Sequence, residues 1–248
     1  MMRKFSLALI FNVALSLILL SFMVYLFEVQ FTYYLVLFAF CIIISVKSYE
    51  YQSKWIAEEK AFFMLTDFLL QTITLFKHHP KLYSTLIESK QVTSDHLLKD
   101  IETWIYKMEE GYDLDRSAND FILKYPHFCV GNLVHMMKAA EVYGNQNTES
   151  GFNIIQDDIE DWVEDTYLFK QNQIQQRNRI LILCGFSLVI ALVSQNMIRQ
   201  SSDIIATPLY QLSLFIFMAL LLLTLLMAQK QLSRAWIEES ELVWKQAS

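Results

Sequence analysis

Asp157, Asp158, Glu160, Asp161, Glu164 and Asp165 crowd six carboxylates into nine positions of a 248-residue chain. Asp157, Asp161, Glu164 and Asp165 are spaced by four, three and one, which puts them on one face of a helix. Like charges at such spacing weaken an isolated helix by a few tenths of a kcal/mol. Two readings follow: a docking surface for a basic partner, whose charges would offset the repulsion, or a solvated face, the usual fate of a charge run. A second group, His127, Cys129 and His135, has metal-ligand chemistry. On a helix, however, 127 and 135 lie two turns apart with no fourth ligand in range, so a buried or capping role is expected. His78-His79 beside Pro80 reads as a solvated turn.

Enzyme signatures are missing from the sequence. It has no G-x-x-x-x-G-K-[ST] phosphate loop, no G-x-G-x-x-G, no H-E-x-x-H and no G-x-S-x-G. The expectation is a non-enzyme with no cofactor and no metal. Cys41, Cys129 and Cys184 are odd in number, and two lie in or at the edge of apolar stretches, so free thiols rather than a disulfide framework are expected.

Four apolar stretches must position these residues: Phe5–Phe27, Phe31–Val46, Ile180–Ile198 and Leu209–Met227. A bilayer core roughly 30 Å thick needs about 20 apolar residues in helical form. The first, third and fourth meet this length; the second reaches it when Gln30 and Lys47 snorkel. The first run is too long for a signal-peptide core and lacks a small-x-small cleavage site before Glu28. Only Glu28, Val29 and Gln30 separate the first two spans, which predicts a tight antiparallel hairpin. The layout is an N-terminal hairpin over 1–46, a polar middle block over 47–178, a C-terminal hairpin over 179–228 and a tail over 229–248.

Lys and Arg near span ends report orientation. Arg3, Lys4, Lys47, Lys54, Lys170, Arg177, Arg179, Lys230 and Arg234 fall on one side, and only Arg199 on the other. Both termini and the middle block are therefore expected in the cytoplasm. No Asp, Glu, Lys or Arg lies inside a span, which argues against a pump or ion pathway. Asn12, Ser16 and Ser21 in the first span suit either helix association or bonding to their own backbone.

Hydrophobic residues make up 54% and charged residues 19%, as expected for a membrane protein with a polar insert. Lys47–Asn178 holds 13 Lys and Arg against 21 Asp and Glu, a net of −8 beside −6 for the whole chain. Such an acidic block is unsuited to nucleic acid, whose phosphates need Lys and Arg. Five Gly and three Pro leave little to punctuate strands, so the fold class is all-α.

Within the block, Phe62, Leu65, Phe68, Leu69, Thr72, Ile73 and Phe76 form one helical stripe that can run on from the second span. Pro80 ends it. A short helix to about Ser89 follows. Thr93 or Ser94 then caps a helix through Leu97, Ile101, Trp104 and Met108, which Gly111 terminates. Asp113 caps the next, which stops before Pro126. Phe128–Tyr143 is closed by Gly144, and a long helix from near Thr148 meets no breaker before the third span. Its segment Phe152–Ile174 would reach about 34 Å at 1.5 Å per residue, long enough for a stalk. Trp55, Trp104 and Trp162 are either core residues or anchors for a partner.

This order of elements, with Met108-Glu109-Glu110-Gly111-Tyr112-Asp113-Leu114-Asp115-Arg116-Ser117-Ala118 and with Ala140-Glu141-Val142-Tyr143-Gly144-Asn145 before the long helix, resembles the cytoplasmic domain of the type II secretion F family. Its members are platform proteins of the bacterial inner membrane in type II secretion and in type IV and Flp (Tad) pilus assembly. Paired spans on both sides of one domain is the layout of the Tad members; larger relatives carry two domains and three spans. The chain departs from the pattern after Gly144, where polar Asn145-Gln146-Asn147-Thr148 replaces a small or hydrophobic cap. The resemblance implies a scaffold in the inner membrane that couples a cytoplasmic ATPase to pilin or pseudopilin subunits. It also implies a second platform subunit, as a homodimer or a sister chain. The carboxylate face would then dock the ATPase. The competing classes are a membrane-anchored sensor or permease subunit binding a small molecule in its helical domain, and a membrane enzyme using the His127–His135 region.

Overall fold

A computed structural model describes residues 2–144, 148–198, 205, 207–232 and 236. The described residues form eight α-helices and a short 3-10 turn, with no strand among them. Helix α1 is Met2–Phe27, α2 is Phe31–His78, α3 is Leu82–Ser89, α4 is Asp95–Glu109, α5 is Leu114–Lys124, α6 is Phe128–Tyr143, α7 is Thr148–Ile198 and α8 is Pro208–Leu232. Four helices, α1, α2, α7 and α8, are long and apolar enough to cross a membrane. As expected, α2 is unbroken past Lys54 and α7 past Arg177.

The chain divides into two compact units, Met1–Ile56 with Lys170–Arg234, and Ala57–Phe169 with Ala235–Ser248. In the first, α1 turns into α2 through Glu28, held at φ 52°. Val29 N–H donates to the Val24 carbonyl at 3.2 Å and Glu28 N–H to that of Tyr25 at 3.4 Å, the paired bonds of a Schellman helix end. Gln211 on α8, 2% exposed, secures this turn. Its Oε1 accepts from Gln30 N–H at 3.0 Å, and its Nε2 donates to the carbonyls of Glu28 at 3.1 Å and Ile205 at 3.2 Å. A turn near lipid must have its backbone groups satisfied inside the protein, and one amide side chain does this for two of them while also bonding the Ile205 carbonyl.

Leu20, Phe27, Leu37, Cys41, Leu214 and Met218 form the core of this unit. Ile10, Phe11, Ile18, Leu183 and Ile190 point outward, each more than 60% exposed, as a surface in contact with lipid requires. The Ser16 hydroxyl donates to the Val13 carbonyl at 2.8 Å and also meets the Ser45 hydroxyl of α2 at 2.6 Å, so both readings of this residue hold together. Ser21 pairs with the Tyr34 hydroxyl at 3.2 Å.

The second unit is built on the expected stripe of α2, in which Phe62, Leu65, Phe68, Leu69, Thr72, Ile73 and Phe76 are all buried. Leu82 and Leu86 of α3, Ile101 and Trp104 of α4, Phe121 of α5, and Leu133 and Met137 of α6 pack on it. Trp104 stacks on Phe121 at 5.1 Å, and Phe76 meets Phe152 of α7 at 5.4 Å. Trp104 is thus core rather than an anchor. The start of α7 is not a free stalk either: Phe152, Ile155 and Ile159 belong to the core, and Lys77 at the end of α2 bonds to Asn153 at 2.7 Å. Trp236, in the region read as a tail, is buried against the rings of Phe62 and Phe63.

The helix ends follow the glycines. Gly111 at φ 78° completes a Schellman end to α4, Tyr112 N–H donating to the Lys107 carbonyl at 3.1 Å and Gly111 N–H to that of Met108 at 3.2 Å. Gly144 closes α6 at φ 86° and ψ 168°. Ser94 and Asp113 occupy the expected N-cap positions, but neither side chain makes a capping bond. The Ser94 hydroxyl turns instead to Met64 Sδ at 3.2 Å. The turn Asn145-Gln146-Asn147, where the chain departs from the family pattern, lies outside the described residues.

Candidate docking face

Burial of Phe152, Ile155 and Ile159 fixes the rotation of the first turns of α7. With apolar residues three and four apart facing the core, the positions between them must face away. Asp157, Asp161, Glu164 and Asp165 are all exposed on α7, as their spacing implies. Among the described residues none of the four forms a salt bridge, whereas α4 and α5 are laced by Lys107–Asp120 and by Lys124–Asp100 at 2.6 Å. Asp158 turns away from this face, and Glu160 is exposed beside it but already engaged. Asp158 is half-buried and its carbonyl accepts from the Cys129 thiol at 3.7 Å, while Glu160 accepts from Gln156 Nε2 at 3.0 Å.

Directly beneath, Trp162 is clamped between two rings. His127 stacks on it at 3.6 Å between centroids and 8° between planes, and Phe62 meets it edge-on at 5.2 Å and 89°. Trp162 is therefore a supporting residue for the acidic turns rather than a projecting anchor. His127 is also the N-cap of α6, its Nδ1 accepting from Cys129 N–H at 3.4 Å. A stacked ring that accepts from a backbone amide in an apolar setting resists protonation, and burial pushes its pKa down to about 4. Burial, aided by the charge of Asp158, pushes the Cys129 thiol up to about 12, so it stays protonated and unreactive. His135 is exposed on α6, so the structure does not bring His127, Cys129 and His135 together around one point. All three cysteines are free.

The sequence carried no sign of the His127–Trp162 stack, which joins residues 35 positions apart, nor of Gln211 as a clasp. A lone Gln in an apolar run was the only available signal for the latter. Tyr125 and Asp100 form another bond of this kind at 2.7 Å; burial first, then the Asp100 carboxylate, pushes the phenol pKa up.

Searches of the chain against protein-family models, curated proteins and solved structures find no match.

Proposed function

We propose that this chain is a platform subunit of a bacterial type II secretion or pilus assembly machine. In this reading two transmembrane hairpins flank a cytoplasmic bundle of about six helices, both termini are cytoplasmic, and the membrane is the inner one. The bundle receives a cytoplasmic ATPase, and the membrane part serves pilin-like subunits, with a homodimer or a sister subunit completing the platform. The reading rests on the layout of the chain and on the glycine-terminated helices preceding α7, not on any matched relative. The observation that carries the docking step is the exposed carboxylate row Asp157, Asp161, Glu164 and Asp165, which has no cationic partner among the described residues. Exposed charges of one sign steer a partner of the other sign and lose strength as salt screens them.

The test is co-purification of the full chain, in detergent, with the secretion ATPase encoded by the same genome. Binding that weakens with salt and is abolished by Asp157→Lys with Asp161→Lys supports the reading. Equal recovery of the ATPase with the reversed pair removes the docking face, and absence of any ATPase interaction removes the platform function.

A further inference from the structure

A cavity of about 540 Å³ opens on the membrane unit between α1, α2 and α8, with Leu188 of α7 at its back. Each of the three helices contributes a stretch of similar length to its wall: Asn12 to Met23, Cys41 to Gln52 and Met218 to Gln229. Eleven steps at 1.5 Å per residue make each stretch about 17 Å long. That is little more than half of a hydrocarbon core roughly 30 Å thick, the depth of one leaflet.

The lining is graded along this length. Leu20, Met23, Cys41 and Met218 line its deep end, while Asn12, Ser48, Gln52 and Gln229 lie at the end where α1 begins and α8 finishes. Among the described residues, none of these four polar side chains has a hydrogen-bond partner, unlike Ser16 and Ser45, which satisfy each other and their own helices. Groups that can donate and accept thus gather at that end of the groove, Asn12 inside the first span and Ser48, Gln52 and Gln229 just beyond the second and fourth, and apolar walls continue inward from them.

We infer that this groove holds one glycerophospholipid of the leaflet on the side of the N-terminus. An acyl chain lies along Leu20, Met23 and Leu222, and the amides of Asn12, Gln52 and Gln229 bond the ester and phosphate oxygens. A transmembrane helix of a partner is the poorer occupant, because it would need an apolar groove over the full bilayer thickness and would leave the amide cluster unused. The volume suits one acyl chain of such a lipid, the rest of the molecule lying outside in the leaflet, and apolar walls with a few convergent polar groups are the usual make-up of a small-molecule site between helices. This inference does not depend on the proposed function.

The experiment uses the purified full chain in nanodiscs of phosphatidylethanolamine and phosphatidylglycerol, doped with a phosphatidylethanolamine carrying a diazirine in mid-chain. After illumination, peptide mass spectrometry maps the adducts. The expected result is adducts concentrated at 15–23 and 218–226, well above those on the exposed α7 positions Val189, Ile190 and Val193. Leu222→Trp fills the groove, and Gln52→Leu with Gln229→Leu removes its polar end. Each should lower the groove adducts roughly ten-fold, the response to a ten-fold loss of affinity. The outward-facing Leu223→Trp should leave them unchanged. If Leu222→Trp fails to reconstitute, the glutamine pair carries the test alone. Labelling as strong on α7 as in the groove, groove adducts unaffected by the glutamine pair, or cross-links through the groove to another polypeptide would each overturn the inference.

Discussion

His127 combines three constraints in one side chain. Its ring stacks on Trp162, its Nδ1 accepts the Cys129 amide, and the buried acceptor role requires the neutral form. Because burial holds its pKa at about 4 rather than 6.5, the unfolded chain takes up a proton at mildly acidic pH that the folded chain refuses. Between those two values the unfolded state binds more protons, so stability falls as pH falls through this window; below about 4 this residue adds no further loss. His127→Asn keeps a capping acceptor but does not titrate. Urea unfolding of the two proteins between pH 4 and pH 6.5 should give a shallower pH dependence for the variant, by a slope on the order of one proton. Identical slopes would mean that the ring titrates alike in the folded and the unfolded protein.

At the scale of elements, two glycines end two helices in different ways. Gly111 takes the left-handed conformation of a Schellman end, which Asn tolerates, whereas Gly144 at ψ 168° occupies a region that is essentially restricted to Gly. Neither position has an atom within 4 Å of where a Cβ would lie, so substitution costs come from the backbone alone. Gly111→Ala should destabilise by about 1 kcal/mol, with Gly111→Asn recovering part of the loss. Gly144→Ala and Gly144→Asn should both cost about 1–3 kcal/mol. Thermal unfolding of the four variants decides it, and rescue of Gly144 by Asn would contradict the assigned geometry. Both glycines were legible in the sequence, because a helix-ending glycine after an amphipathic run is a local signal. The idle Ser94 and Asp113 side chains were not, since whether a cap is used depends on what else its oxygen can reach; for Ser94 that is Met64, 30 positions away.

For the whole molecule, the asymmetry of Lys and Arg about the spans predicts that the middle block and both termini lie on one side, in the cytoplasm. In a cysteine-free background, Gln30→Cys should react with a membrane-impermeant maleimide from outside intact cells. Tyr112→Cys should react only after lysis. The reverse pattern would invert the topology and remove the bundle from any cytoplasmic ATPase. With the middle block in the cytoplasm, the acidic face of α7 would lie in the compartment where ATP is available, which the docking proposal requires.

Sequence alone determined the elements whose causes are local. Runs of about 20 apolar residues read as helices in lipid because a helix is the one structure that satisfies a segment's backbone within the segment itself, and the stripe from Phe62 to Phe76 must be buried because its spacing leaves one face apolar. The same periodicity placed Asp157, Asp161, Glu164 and Asp165 on one exposed face. What only the tertiary structure decided depends on which distant residues meet. Trp162 became a support for α7 because His127 and Phe62 close on it, the start of α7 became core because Phe76 faces Phe152, and Gln211 became the clasp of a turn some 180 residues earlier. Helical periodicity assigns a side chain to a face; only packing between elements assigns it a partner.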